Sequence, residues 1–271
     1  MKKPMTQEER FVQMIETPVS TLIPRLAVPT IISMLVTAIY NMADTFFVSQ
    51  IGTSASGAVG VMFSAMAMIQ AIGFTLGMGS GNYISRSLGD RNGGEAEKSA
   101  ATAFFTALII GALISVFGLI CLRPLVFLLG ATETIAPYAM DYGKYILIAA
   151  PFMMSSFVMN NILRSQGNAF YAMLGIGAGS ILNIILDPIF IFLFDLGIAG
   201  AAWATIFSQF VSFCLLLVGC TRGGNLQIHV SRVQLKWDYF SMIIRGGLPS
   251  LARQGLASFA TICLNWAIRP Y

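Results

Sequence analysis

Charge is what this sequence has least of. Only 10 % of its 271 residues are Asp, Glu, Lys or Arg, against about 25 % in soluble domains. So few charges cannot cover the water-facing surface that a chain of this size keeps after folding, which excludes a soluble enzyme or binding module. Histidine occurs once, at His229 in a polar loop, with no sequence partner for catalysis or metal binding. The four cysteines, Cys121, Cys214, Cys220 and Cys263, show no CxxC spacing and fall in or beside apolar runs. They support neither a zinc site nor a disulfide framework and read as apolar filler. A hydrophobic content of 56 % is also the opposite of a disordered composition. Glu8, Glu9 and Glu16 break up the N-terminal stretch, unlike a cleavable signal.

What the sequence has is long apolar runs. A helix crossing ~30 Å of hydrocarbon needs about 20 mostly apolar residues. Seven runs qualify, at residues 26–50, 56–84, 99–122, 137–163, 169–194, 199–220 and 239–268. Breaker-rich loops separate them, among them Gly52-Thr53-Ser54, Gly89 to Gly94, Ser165 to Asn168 and Arg222 to Asn225. The pattern predicts an all-α membrane protein. It divides into an N-terminal segment (1–25), a six-helix transmembrane lobe (26–220), an inter-lobe loop (221–238) and the first helix of a second lobe (239–271). Six helices followed by one more read as part of a two-repeat transporter with its substrate path between the repeats.

The net charge of +4 is distributed unevenly. One set of alternate loops holds twelve Lys and Arg, and the other holds only Arg123 and Lys144. That bias places the N-terminus in the cytoplasm of a multi-pass cell-membrane protein. It also makes the bilayer, rather than a nucleic acid, the partner of the positive residues.

Three ionisable residues fall well inside the runs: Asp44, Asp187 and Arg253. Each is a functional hypothesis, because a charge in hydrocarbon is costly. Asp44 and Asp187 each lie 18 residues beyond the start of their run, about 27 Å at ~1.5 Å per residue. Tyr142 and Thr205, counted inward from the opposite end, reach the same level, and Asn183 lies one turn from Asp187. The spacing predicts a polar cluster able to hold a proton or a cation such as Na+. Pro188 removes a helix hydrogen bond beside it and reads as a hinge. Asn160 and Asn161 can line a cavity or bond between helices. Gly77-Met78-Gly79-Ser80-Gly81 lies inside a run and reads as close helix packing, not as a phosphate loop. Fifteen Met and twenty Phe suit an adaptable apolar pocket.

These residues form an ordered set: Asn41-Met-Ala-Asp44-Thr45, Tyr142 before Pro151, Asn183-Ile-Ile-Leu-Asp187-Pro188, and Gly197 through Thr205. The set resembles the multidrug and toxic-compound extrusion (MATE) family, over nearly the whole chain. The resemblance implies a twelve-helix transporter of two lobes that exports cationic or amphipathic drugs in antiport with H+ or Na+, with no cofactor. It implies that Asp44 and Asp187 carry the coupling ion, that Asn183, Tyr142 and Thr205 surround it, and that Tyr40, Asn160 and Asn161 line the substrate cavity. The chain would then be an incomplete protein lacking its C-terminal lobe. With both acids ionised the cavity would attract a lipophilic cation, and H+ or Na+ would release it. Two alternatives are a flippase for lipid or polysaccharide precursors and a half-size transporter that pairs with itself. An intramembrane aspartyl protease is disfavoured, because neither acid lies in a GxGD sequence.

Overall fold

The structure, a computed structural model, describes residues 7–221, 226–234 and 236–268. Lys2, Lys3, Arg222 and Arg269, with the Arg222 to Asn225 breaker loop, lie outside the described residues. A short helix, α1 (Gln7–Glu16), precedes α2 (Val19–Ser49), α3 (Thr53–Gly89), α4 (Gly93–Ile120), α5 (Leu122–Leu128), α6 (Ala136–Ser165), α7 (Ala169–Pro188), α8 (Gly197–Thr221) and α9 (Trp237–Ile268). Among the described residues, six segments are long and apolar enough to cross a membrane: α2, α3, α4, α6, α7 with its extension to Leu193, and α8.

The helix ends follow local chemistry. Asn92 caps α4, its side chain accepting from the Glu95 N–H at 3.3 Å. Gly52, with φ +149, and Gly167, with φ +78, take turn conformations that a side chain resists. Observed spans outrun the apolar runs at several ends. Helix α2 starts at Val19, because Pro24 and Pro29 are accommodated within it, and α3 runs on to Gly89.

Helix α6 is the most enclosed of the six spans and forms the central post. Two apolar clusters are built around it. One gathers Ile84, Phe104, Met154, Met159 and Leu216 toward the end where α3 stops and α4 begins, here the basic end. The other gathers Val48, Met62, Val126, Ile146 and Ile191 toward the opposite end. Small residues let the backbones approach: a Cβ on Gly111 would stand 2.6 Å from the Cα of Pro151 on α6. Outward-facing Ile39, Met42 and Phe46 on α2 and Ile109, Val116 and Phe117 on α4 remain exposed, as expected of a surface solvated by lipid rather than water.

The seventh expected span is a helix of 32 residues, but it is too polar to rank with the six. It turns that polarity inward. Asn265 Nδ2 donates to Ser64 Oγ and to the Leu129 carbonyl, both at 3.3 Å, and Trp266 Nε1 donates to the Leu128 carbonyl at 3.0 Å. Nearer the basic end α9 meets α3 backbone to backbone. A Cβ at Gly79 would run into the Ile243 carbonyl, and one at Gly247 into that of Thr75. The glycine run read as close packing is such a seam: Gly77 likewise abuts Asn161 and the Phe157 carbonyl.

Gly79→Ala is therefore expected to destabilise the fold by about 1–3 kcal/mol, the usual cost of overpacking. Gly60→Ala, where a Cβ meets nothing within 4 Å, is expected to be neutral or to stabilise by up to about 1 kcal/mol through helix propensity. Thermal unfolding in detergent, followed by size exclusion, checks both. Equal melting of the two variants would contradict the seam.

Candidate functional site

The inward residues of α2 set one side of the polar cluster. Ser33, Tyr40, Asp44 and Val48 are its buried positions, and steps of seven and four keep them on one helical stripe. That stripe packs on α7, whose Asn183 and Asp187 are buried one turn apart. Helix α8 adds Thr205 and α6 adds Tyr142, both 1 % exposed. Asp187 is 0 % and Asp44 7 % exposed. Asp44 and Asp187 lie within electrostatic reach of each other. Tyr142 lies within electrostatic reach of Asp44, Tyr40 and Asp187 and within hydrogen-bonding reach of Thr205. The five residues read from depth counting thus come together, with Tyr40 among them.

Hydrogen bonds order this cluster. The Asn183 amide sits between two elements: with Nδ2 toward the carboxylate it donates to Asp187 Oδ2 at 3.0 Å, while its Oδ1 accepts from the Thr205 N–H at 3.2 Å. Thr205 Oγ1 donates back to the Ala201 carbonyl at 3.0 Å. One oxygen of each acid, Asp44 Oδ1 and Asp187 Oδ1, is buried with no hydrogen-bond partner among the described residues. An orphaned carboxylate oxygen in a low-dielectric interior demands compensation by a proton or a cation. Directly after Asp187, α7 gives way at Pro188 to a π-helical turn, Ile189–Leu193. Proline supplies no N–H to the carbonyl a turn earlier, and a π turn takes up the misfit.

A cavity of about 330 Å³ lies beside the cluster. Tyr40, Asn183 and Thr205 form the part of its wall nearest the acids, while Asp44, Asp187 and Tyr142 stand behind them and do not line it. The acids are thus screened from the cavity they were expected to face. Met34, Met66, Met78 and Met153, with Phe63, Phe74 and Phe157, supply its apolar lining. The two adjacent asparagines part company. Asn161 lines the cavity, its Nδ2 held by the Phe157 carbonyl at 2.8 Å. Asn160 does not; it is fully buried and donates to the Ala172 carbonyl on α7 at 2.9 Å. The cavity place expected for Asn160 is corrected to a helix-to-helix bond. Sequence reading also missed Gln70, Gln209 and Gln254 and left Arg164 and Arg253 without a role; all five line the cavity. For all but Arg164, a polar residue within an apolar run was the available signal.

Comparison with known proteins matches a family model described as MatE to residues 29–189. The chain belongs to the MatE family. Relatives of this MatE chain include an FAD transporter of Shewanella oneidensis, 33 % identical over 238 residues, which cover 85 % of this chain and 53 % of the relative. A multidrug export protein, MepA of Staphylococcus saprophyticus, is 28 % identical over 90 % of this chain and 55 % of its own length. Among solved structures, an outward-facing multidrug resistance MATE family transporter superposes with a TM-score of 0.83 at 33 % identity, over 90 % of this chain and 54 % of that one. The chain spans about half the length of the curated relatives it matches. Members of the family are transporters, not enzymes.

Asn160→Ala is expected to lower stability by about 1 kcal/mol, the worth of a buried interhelical hydrogen bond, while leaving ligand affinity in the cavity unchanged. Thermal unfolding and ligand titration of the purified variant check this. A change in affinity at unchanged stability would return Asn160 to the cavity wall.

Proposed function

We propose that this MatE chain is a lobe of a secondary active efflux transporter that exports amphipathic organic compounds in antiport with H+ or Na+. The observation that carries the reading is the pair of buried acids, each with one unpartnered oxygen, meeting behind the cavity wall. The names of the relatives, an FAD transporter and a multidrug exporter, support organic molecules as cargo. We place the lobe in the plasma membrane with its N-terminus in the cytoplasm, on the bias of Lys and Arg between alternate loops. A facing lobe of similar construction, as the length of the relatives implies, completes the substrate path.

The mechanism follows from the wall between acid pair and cavity. Asn183 touches Asp187 on one side and lines the cavity on the other. H+ or Na+ arriving at Asp44 and Asp187 removes the need for compensation that their orphaned oxygens create. The hydrogen bonds of Asn183 then rearrange, and the wall moves with them. The flexible point is the proline and π turn directly after Asp187, where α7 lacks a regular hydrogen-bond ladder. Cargo is exchanged only if the ion binds the two access states with different affinity. The two acids hold the ion, Asn183, Tyr142 and Thr205 position them, and Pro188 is the hinge. Tyr40 and Asn161 contact the substrate.

A flippase of lipid or polysaccharide precursors is the second reading, favoured by the arginines on the cavity wall, which would face a phosphate.

Asp44→Asn and Asp187→Asn are each expected to reduce gradient-driven efflux of an amphipathic dye by at least about tenfold in cells, a loss of ~1.4 kcal/mol or more of coupling, with expression unchanged. Imposing a pH gradient or a Na+ gradient separately names the ion. Undiminished efflux in both variants would remove the mechanism.

A further inference from the structure

The charge on the cavity wall has a sign, and it is positive. Of the described residues lining the cavity, Arg164 and Arg253 are the ionised ones, and no Asp or Glu is among them. Neither arginine has a carboxylate partner among the ion pairs of the described residues. Arg164 stands in the last turn of α6 at the basic end, whereas Arg253 stands midway along α9. The wall is also rich in idle donors. Arg164 Nε and Gln254 Nε2 are buried without a partner among the described residues, as are the hydroxyls of Ser156 and Ser208, and all four residues line the cavity.

Guanidinium groups, an amide N–H and hydroxyls facing one space present donors to an oxyanion, and charge-assisted bonds to guanidinium are the strong kind. A lipophilic cation in the same space would meet two like charges and no carboxylate. The apolar wall adds a shape preference. Phe74 and Phe157 lie with ring centroids 4.8 Å apart and planes inclined by 31°, and with Phe63 and the four methionines they offer flat, polarisable surface to a ring. The volume, about 330 Å³, has room for the ring end of such a ligand.

We propose that the cavity selects an aromatic anion, a planar ring bearing a carboxylate or a phosphate, with Arg253 and Arg164 making the wall positive toward the oxyanion and Phe74 and Phe157 offering a face to the ring. The inference rests on the export reading for its physiological sense, but the charge preference is a property of the wall that this chain supplies. It also separates the two electrostatic jobs. Cargo charge is read by the arginines on the wall, and the coupling ion is read by the acids behind it. A cation on the acids does not compete with an anion for one site, so exchange runs through the movement of Asn183 and its helix and not through displacement.

The test is equilibrium titration of the chain in lipid nanodiscs, with no gradient present, using ligands matched in ring and different in charge. Naphthyl phosphate and naphthoate are expected to bind on the order of tenfold more tightly than naphthol and than naphthylmethylammonium, as one good charge-assisted contact provides. Dodecyl phosphate, which carries the charge without the ring, is expected to bind more weakly than naphthyl phosphate. Arg253→Gln and Arg164→Gln are each expected to reduce the preference for the anions severalfold while naphthol binding persists, which shows the cavity still folded, and Arg253→Lys is expected to retain most of it. Equal binding of all four naphthyl ligands, a preference for the ammonium, or no binding at all would overturn the inference. Dodecyl phosphate binding as well as naphthyl phosphate would overturn its aromatic part in favour of a lipid phosphate. Because no ion gradient is involved, failure here is distinguishable from failure of ion-driven export.

Discussion

Hydrocarbon offers no water to a carboxylate, so an acid held at bilayer depth must find its compensation inside the protein or in an ion that it binds. That constraint organises this helical bundle. Asp44 and Asp187 come from helices far apart in sequence, yet α2 packs its single buried stripe on α7 so that both acids lie inward. Three polar side chains gather beside the pair. Asn183 donates to Asp187, Thr205 fixes Asn183, and Tyr142 lies within electrostatic reach of both acids. The orphaned oxygens that remain are where we propose that a coupling ion acts.

The surrounding architecture lets so polar a cluster exist in an apolar bundle. Helix α6 stands at the centre, and apolar clusters on either side of the polar level close it off toward both ends. Glycines bring α3 against α6 and α9 at backbone distance, which is how helices gain packing energy where no hydrophobic effect drives them together. The same close seam places α9 where Arg253 and Gln254 reach the cavity. A helix too polar to rank with the six spans thereby becomes part of the binding wall.

Much of this was legible in the sequence. The six spans follow from run length, because ~30 Å of hydrocarbon sets a minimum that few soluble helices meet. The depth of Asp44, Asp187, Tyr142 and Thr205 could be counted because an α-helix rises by a constant step. Azimuth was harder. Asn160 and Asn161 are neighbours in sequence and about 100° apart around the helix axis, so one bonds to α7 while the other faces the cavity. Nothing in the sequence ranks those two outcomes. Arg164 read as a loop charge for a similar reason: the apolar run ends before it, but α6 continues to Ser165 and turns the side chain toward the cavity. The screening of the acids from the cavity depends on how four helices pack and has no signature along one chain.

The central claim is that Asp44 and Asp187 form one coupled, buried unit that responds to an ion together. Isotope-edited infrared difference spectroscopy of the aspartate carboxyl bands, recorded on a step in pH or in Na+, tests it most directly. The account predicts that both carboxyl bands change in the same transition and that Asp187→Asn alters the response of Asp44. Two bands that move independently, each indifferent to substitution of the other and each behaving as a water-exposed carboxylate, would contradict it.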